Sequence, residues 1–422
     1  MKKPSLLIIW LTVFIDLIGF GIVVPLIPLF SKDVGAHGLL IGVIISSFSA
    51  MQFIFAPIWG RLSDRIGRRP VLLGSTLGAA ISYVLFGIAC GLKDPKLGLG
   101  LMIVSRVFAG ICGGNITVAQ AYIADITPPD QRSKKMGLIG MAFGLGFIFG
   151  PIIGGVSWQG ISLFGKTFQG FGPMAPGFVA AGLCTANFIL ALCVLTESRQ
   201  PSSEQVAQRP HLDQWLHTLA HPKVGMLVIV FFLATFCFSC FESTLGLLII
   251  GNFNLDIAAS TKTSVKLFVF CGLISATVQG GMIGRLVKKL GEAKLITISL
   301  IFTAVSLAAI PFIKGNSELT GGILLREPGL PWIFMLLTLA LLAVGTSLTR
   351  PPLFGLLSNL TSANEQGATI GIAQSAGSLA RILGPVFATT TLYYVPALPY
   401  LTGTVLLLAT AVIFAKRFRR QD

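Results

Sequence analysis

Runs of about 20 apolar residues recur along this chain, parted by short polar connections, and few folds accept that pattern. Inside hydrocarbon every backbone N–H and C=O must be satisfied within its own segment, so each run reads as a spanning α-helix. Twelve spans are expected, at residues 5–30, 39–60, 71–91, 98–122, 136–157, 175–196, 223–250, 264–284, 293–313, 331–357, 367–392 and 398–415. Only 11% of residues are charged and mean hydropathy is +0.84, more apolar surface than a water-facing fold can hide. The first run follows Lys2 and Lys3 with no small-residue cleavage site, so it reads as a span and not as a signal peptide. The expected class is all-α integral membrane.

The formal net charge of +15 does not point to nucleic acid, because the basic residues sit in short connections and not on one face. Of the 31 lysines and arginines, 20 fall on the side that holds both termini, 8 on the other side and 3 inside spans. The positive-inside rule then puts both termini in the cytoplasm of a cell (inner) membrane protein. All seven cysteines lie in apolar runs and read as small hydrophobes. His211, His217 and His221 read as part of a solvated amphipathic connection and not as a metal site; no metal and no cofactor are expected.

The chain repeats itself. GRLSDRIGRRP from Gly60 is echoed by GRLVKKLGEAK from Gly284, an offset of 224 residues. ADITPPDQRSKKMG from Ala124 is echoed by SNLTSANEQGATIG from Ser358, an offset of 234 that also carries Gly150-Pro151 onto Gly384-Pro385. Two six-helix copies are therefore expected, residues 1–197 and 223–422, joined by a polar linker at 198–222.

A charge near the bilayer centre needs a partner, a water-filled cavity or a function. Asp16 stands about ten residues into the first span, or about 15 Å at helical rise. Glu242 occupies the matching span of the second copy. Desolvation favours the neutral form of a carboxyl group, which suits a residue that takes up and releases a proton; a permanently neutralised acid is the alternative. Arg106 and Arg381 are expected either to face Asp16 and Glu242 across a cavity or to lock helices together, whereas Arg350 reads as reaching toward headgroups. Gln52, Asn115, Gln120, Asn187, Gln279 and Gln374 either line a substrate cavity or bond between helices. In GLGFIFGPIIGG, the glycines Gly146, Gly150, Gly154 and Gly155 allow close helix approach, and Pro151 removes one rung of the ladder.

These residues resemble the major facilitator superfamily, and within it the twelve-helix drug:proton antiporters that include tetracycline efflux proteins. The motifs are G-x-x-x-D-x-x-G-R-R at Gly60 to Arg69, S-R-V-x-x-G at Ser105 to Gly110, G-x-x-x-G-P-x-x-G-G at Gly146 to Gly155, and PLIP at Pro25 to Pro28. The resemblance implies a fold of two pseudo-symmetric six-helix bundles. It also implies a conformational latch made by Gly60, Asp64, Arg65, Gly67, Arg68, Arg69 and Asp125, with Arg68 pairing Asp125 and Asp64 at the start of the eleventh span. The Gly150-Pro151 motif implies export. There are departures: Ser82 stands where tetracycline exporters carry an acid, the eighth span has no histidine and the ninth no acid. Tetracycline is accordingly discounted as the specific cargo.

The expected function is proton-coupled antiport of amphipathic small molecules or drugs by alternating access. Its partners are the substrate, protons and the bilayer, and a single copy is expected to suffice. An uptake symporter or uniporter for a metabolite is the alternative. An enzyme is not expected, for want of an intramembrane catalytic constellation. Such a pump needs no nucleotide, and no phosphate-binding G-x-x-x-x-G-K-[ST] loop is expected to power it.

Overall fold

The computed structural model describes residues 4–113, 115–128, 132–163, 166–198, 218–315, 319, 329–361 and 366–418. Fifteen helices carry labels. In the first part these are α1 (Leu6–Val23), α2 (Ile27–Asp33), α3 (Gly38–Ile66), α4 (Arg68–Gly91), α5 (Pro95–Cys112), α6 (Asn115–Ile126), α7 (Arg132–Gln159) and α8 (Ala175–Val194). In the second they are α9 (Pro222–Phe253), α10 (Ile257–Thr277), α11 (Ile283–Leu290), α12 (Glu292–Ala309), α13 (Leu330–Asn359), α14 (Gln366–Tyr394) and α15 (Leu398–Phe418). Local chemistry explains several boundaries. Pro25 and Pro28 break the first span into α1, a 3₁₀ turn and α2. The Asp94 side chain accepts from Lys96 N at 2.9 Å and Pro95 fills the first position of α5, a favourable helix start.

By length and composition, eleven helical stretches among the described residues could cross a membrane. The expected span missing from that count is the eleventh, α14. It has the length, 29 residues, but its glutamines, serines, threonines, glycines and Arg381 keep its hydropathy too low to be counted with the others. A second difference lies between α7 and α8. There Gly160–Leu163 (β1) and Lys166–Gln169 (β2) form an antiparallel hairpin, so the fold is not purely helical. This stretch, GISLFGKT from Gly160 to Thr167, also spells the phosphate-loop spacing that was not expected here. In a phosphate loop the Lys-Thr pair opens a helix whose backbone N–H groups cradle the anion. Here it lies in a strand paired with Ser162 and Leu163, so the match carries no phosphate chemistry.

The chain forms two compact units, residues 1–203 with 257–269, and residues 204–256 with 270–422. Residues 199–217, most of the expected linker, lie outside the described residues, with His211 and His217 among them. In the first unit Gln159 Nε2 donates to Ala258 O at 2.9 Å, and Gly155 faces Val265, which ties the start of α10 to α7. Its core has two parts. Ile9, Val13 and Leu17 of α1 pack with Leu72, Tyr122 and Ile139; Ile18, Ile22 and Leu26 pack with Phe30, Tyr83 and Phe86. The second unit buries Leu227, Phe241 and Leu245 of α9, Leu295 and Leu300 of α12, and Leu407 and Phe414 of α15. Side chains such as Leu337, Val405, Val412 and Ile413 are more than half exposed, as expected of apolar groups solvated by lipid.

Candidate functional site

Asp16 sits on α1 at the junction between the two parts of the first core and is only 7% exposed. Asn187 of α8, itself fully buried, donates from Nδ2 to Asp16 Oδ1 at 2.9 Å and to Thr12 O at 2.8 Å. Tyr83 and Cys184 stand beside it, both close enough to crowd any side chain at Gly19. Asn187 Oδ1 is buried and receives no hydrogen bond. The carboxyl group thus faces an amide that can donate to its ionised form and whose free oxygen can accept from its protonated form.

Arg106 is not the partner. Its guanidinium lies over Phe86 and Tyr83 of α4, at 4.9 and 5.4 Å from the ring centroids, and all three nitrogens lack an acceptor. In the second unit Glu242 Oε1 is also without a hydrogen bond, and Arg381 stands within its electrostatic reach. Arg381 donates from Nη2 to Ser378 Oγ at 3.2 Å. Arg350 does not run out along the helix: its Nη2 lies 3.4 Å from Gln374 Oε1, and its guanidinium rests on Phe231 and Phe354.

The charged turn between α3 and α4 is built on Gly67, whose φ of +105° and ψ of 160° suit only glycine. The chain turns there so that Arg68 begins a new helix pointing back into the unit. Arg68 Nε donates to Asp125 Oδ2 at 3.1 Å, and Nη1 donates to Ser63 Oγ at 2.6 Å and Asp64 Oδ1 at 2.5 Å. Asp64 is half exposed, so its bond is worth little beside that to the better covered Asp125. Arg61 and Arg65 are exposed, Gly60 is half-buried, and Arg69 Nη2 donates to Leu192 O at 2.8 Å.

Glu197 completes this turn, a residue that sequence reasoning put at the very end of the first copy and gave no role. Its carboxylate accepts Arg68 N at 2.9 Å and Arg69 N at 3.1 Å, so it caps α4 from the end of the sixth span. Ser198 adds a hydroxyl donor to Asp125 Oδ2 at 3.0 Å. One signal was available. A helix whose N-cap is glycine offers no side-chain acceptor of its own, and an anion at its start is favoured by the dipole.

The glycine face of α7 meets α1. A Cβ at Gly146 would strike the Leu17 carbonyl, one at Gly150 the backbone of Gly21 and Ile22, and one at Gly154 the Ile22 carbonyl. Pro151 lies inside the helix at this contact. Of the expected cavity residues, Gln52 Nε2 donates to Gly113 O at 3.1 Å between α3 and the end of α5. Gln120 is partly buried, Gln279 is exposed on a π-helical turn at Val278–Met282, and the Asn115 side chain lies outside the described residues. Among the described residues no group of three or more His, Cys, Asp or Glu could hold a metal.

The two repeats preserve one contact with its polarity reversed. By the sequence offsets Arg68 corresponds to Glu292 and Asp125 to Asn359. In the second unit Asn359 Nδ2 donates to Glu292 Oε2 at 3.4 Å, and Gly291 repeats the Gly67 turn with φ +77° and ψ 158°. The acceptor has moved to the helix start and the donor to the end of the following span, α13.

Comparison with known proteins agrees with this architecture. The family model of the Major Facilitator Superfamily matches residues 9–385. The class E tetracycline resistance protein of Escherichia coli is 32% identical over 385 residues, covering 89% of this chain and 85% of that protein. Multidrug resistance protein 2 of Bacillus subtilis (strain 168) is 27% identical over 390 residues, covering 91% and 88%. The crystal structure of the human organic anion transporter MFSD10 superposes with a TM-score of 0.66 at 25% identity, covering 98% of this chain and all of that one. The nucleoside transporter NupG shares the fold alone, with a TM-score of 0.66 at 12% identity, covering 98% of each chain. The chain is a membrane transporter, not an enzyme, and belongs to the Major Facilitator Superfamily.

Proposed function

We propose that this transporter exports amphipathic small molecules or drugs in exchange for protons, by alternating access. The observation that carries the reading is the fit of Gly146, Gly150 and Gly154 onto Leu17, Gly21 and Ile22. It joins α7, with Pro151 inside it, to the helix that bears Asp16, about one turn from the carboxyl group, so a change in charge at Asp16 is felt where α1 and α7 touch. Relatives named for tetracycline and multidrug resistance support the export direction. Tetracycline itself is not the proposed cargo. Ser82, fully buried, spends its hydroxyl on Ala79 O at 2.7 Å where those exporters carry an acid.

In this scheme Asp16 and Glu242 are the proton sites; Arg381 tunes Glu242 directly, and Arg106, expected to do the same for Asp16, acts at most through Tyr83, which stands between them. The turn of Gly60, Asp64, Arg65, Gly67, Arg68 and Arg69, with Asp125, is the latch, now with Glu197 as its cap. The domains are 1–197 and 223–422 with a linker between, both termini are cytoplasmic in an inner membrane, and one copy suffices. A proton entering down 100 mV yields about 2.3 kcal/mol and one pH unit about 1.4 kcal/mol, together enough for a several-hundred-fold gradient of neutral cargo. The test is proton release from acidified everted vesicles on adding an amphipathic dye, in wild type and Asp16→Asn. Substrate-induced release that vanishes in the variant is expected. Proton movement in the same direction as the dye would establish the uptake symporter in its place.

A further inference from the structure

We infer that α11, with the strip of exposed surface that leads into it, is a docking site for an anionic lipid whose headgroup phosphate meets Arg285, Lys288 and Lys289. The inference depends neither on proton coupling nor on the direction of transport. α11 has two faces. Ile283, Leu286, Val287 and Leu290 fall at helical spacing and pack with Val278, Leu295 and Leu348. Arg285, Lys288 and Lys289, three and four residues apart, share the opposite, exposed face. Among the described residues the ion pairs all belong to Arg68, so none reaches these three cations. Glu292 is the nearest acid along the chain, and it is spent elsewhere: it accepts from Asn359 Nδ2 at 3.4 Å and lies against Gly355 of α13. The repeat shows where the local counter-charge went. At the offset of 224, Arg61, Asp64 and Arg65 become Arg285, Lys288 and Lys289, so the acid that accepts Arg68 in the first unit is a third cation in the second.

The exposed face continues along the span. From Arg285 it runs back through Met282 on the π-helical turn to Thr277 and Leu273 of α10, all exposed, with Met282 48% and Leu273 51% accessible. Gly281 and Gly284 leave this strip open: a Cβ at either would meet nothing within 4 Å. An apolar strip that ends in three cations matches the two parts of a lipid, an acyl chain along Leu273 and Met282 and a phosphate at the helix end. A phosphate accepts several charged N–H donors at once, and each cation beside an anionic membrane surface contributes about fivefold in binding. A choline headgroup carries a cation of its own, which three fixed cations oppose, so the preference is for a headgroup with net negative charge. Inorganic phosphate makes no use of the apolar half.

The test uses the purified full chain in detergent, with retained lipid titrated by native mass spectrometry. The probes are phosphatidylglycerol and phosphatidylcholine with the same acyl chains, and sodium phosphate as competitor. Phosphatidylglycerol is expected to bind at least about tenfold tighter than phosphatidylcholine. Arg285→Gln, Lys288→Gln and Lys289→Gln combined should bring it down to the phosphatidylcholine affinity. Phosphatidylcholine itself should bind that variant unchanged, which reports that it is folded. Lys93→Gln with Lys96→Gln removes exposed cations on either side of Asp94 and should change either lipid by less than about twofold. Met282→Gln should weaken both lipids together. Equal affinity for the two lipids, a preference kept by the triple variant, or an equal loss on changing Lys93 and Lys96 would each overturn the inference. Displacement of phosphatidylglycerol by millimolar phosphate would make the surface a phosphate site instead. A preference seen only after Glu204 and Asp213 are neutralised would give these cations to the chain's own linker.

Discussion

Asn187 Nδ2 donates to Asp16 Oδ1 at 2.9 Å, which makes an amide on α8 the keeper of the buried carboxyl group on α1. The same nitrogen serves Thr12 O, one turn earlier on α1, so losing it frees two acceptors at once. Asn187→Leu is expected to destabilise the protein by about 1–3 kcal/mol, the cost of leaving a buried polar group unsatisfied. Asp16→Asn keeps the shape without the charge and should lower the Tm in detergent only slightly, while reducing proton-driven dye accumulation at least about tenfold if Asp16 carries the proton. The double variant should be more stable than Asn187→Leu alone, because the buried carboxylate that lost its amide donor is then absent too. Strict additivity of the two losses would show that the bond does not matter to Asp16.

Apolar length made most of the helices legible, because a bilayer imposes that length whatever the side chains do. The one span that falls short is α14, whose polar side chains bond one another and Arg350. The Gly67 turn could also be read ahead, from a glycine set between Asp64 and Arg68. Glu197 could not. It lies 129 residues from Arg68 in sequence, and nothing periodic marks a capping residue contributed by another span. The partner of Asp16 was hidden for a similar reason: composition presents Arg106 as the obvious counter-charge, but packing puts it on aromatic rings and leaves the acid to an amide.

At the Gly67 turn two substitutions act on one structure. Gly67→Ala forces a side chain into a backbone conformation costing about 1–3 kcal/mol, and its Cβ runs into the Glu197 carboxylate. Glu197→Gln retains the shape but weakens the cap of α4 by about 0.5–2 kcal/mol. Both should lower the Tm, and Glu197→Gln should lower it less as salt is raised. A salt-independent loss in Glu197→Gln would mean that its charge contributes nothing.

The glycines can be set against one another. Gly150 and Gly182 are both helical, yet a methyl group at Gly150 meets the backbone of Gly21 while one at Gly182 meets nothing within 4 Å. Gly182→Ala is expected to be neutral or stabilising by up to about 1 kcal/mol, the ordinary helix preference for alanine. Gly150→Ala has to push α1 away from α7, with a loss of about 1–3 kcal/mol and a fall in transport beyond what the lower stability explains. Equal Tm values for the two variants would remove the close approach from the account of transport.

The reversed contact of the second repeat invites repair. Glu292 packs against α13, near enough that a Cβ at Gly355 would strike its Oε1, and Asn359 reaches it at 3.4 Å, a long hydrogen bond. Asn359→Asp alone opposes two carboxylates. Glu292→Arg alone loses the bond and sets a cation at a helix N-terminus, which costs about 0.3–1 kcal/mol. Together they rebuild the Arg68–Asp125 pair, a charge-assisted contact that should offset both single losses through about 1 kcal/mol of favourable coupling. The cation still lies against the dipole, and in the first unit Glu197 answers that cost at Arg68. The double variant is therefore expected to recover the original Tm without passing it by more than a few degrees. Measuring all four proteins settles the point: simple addition of the single losses would mean that residues 292 and 359 do not reproduce the geometry of 68 and 125.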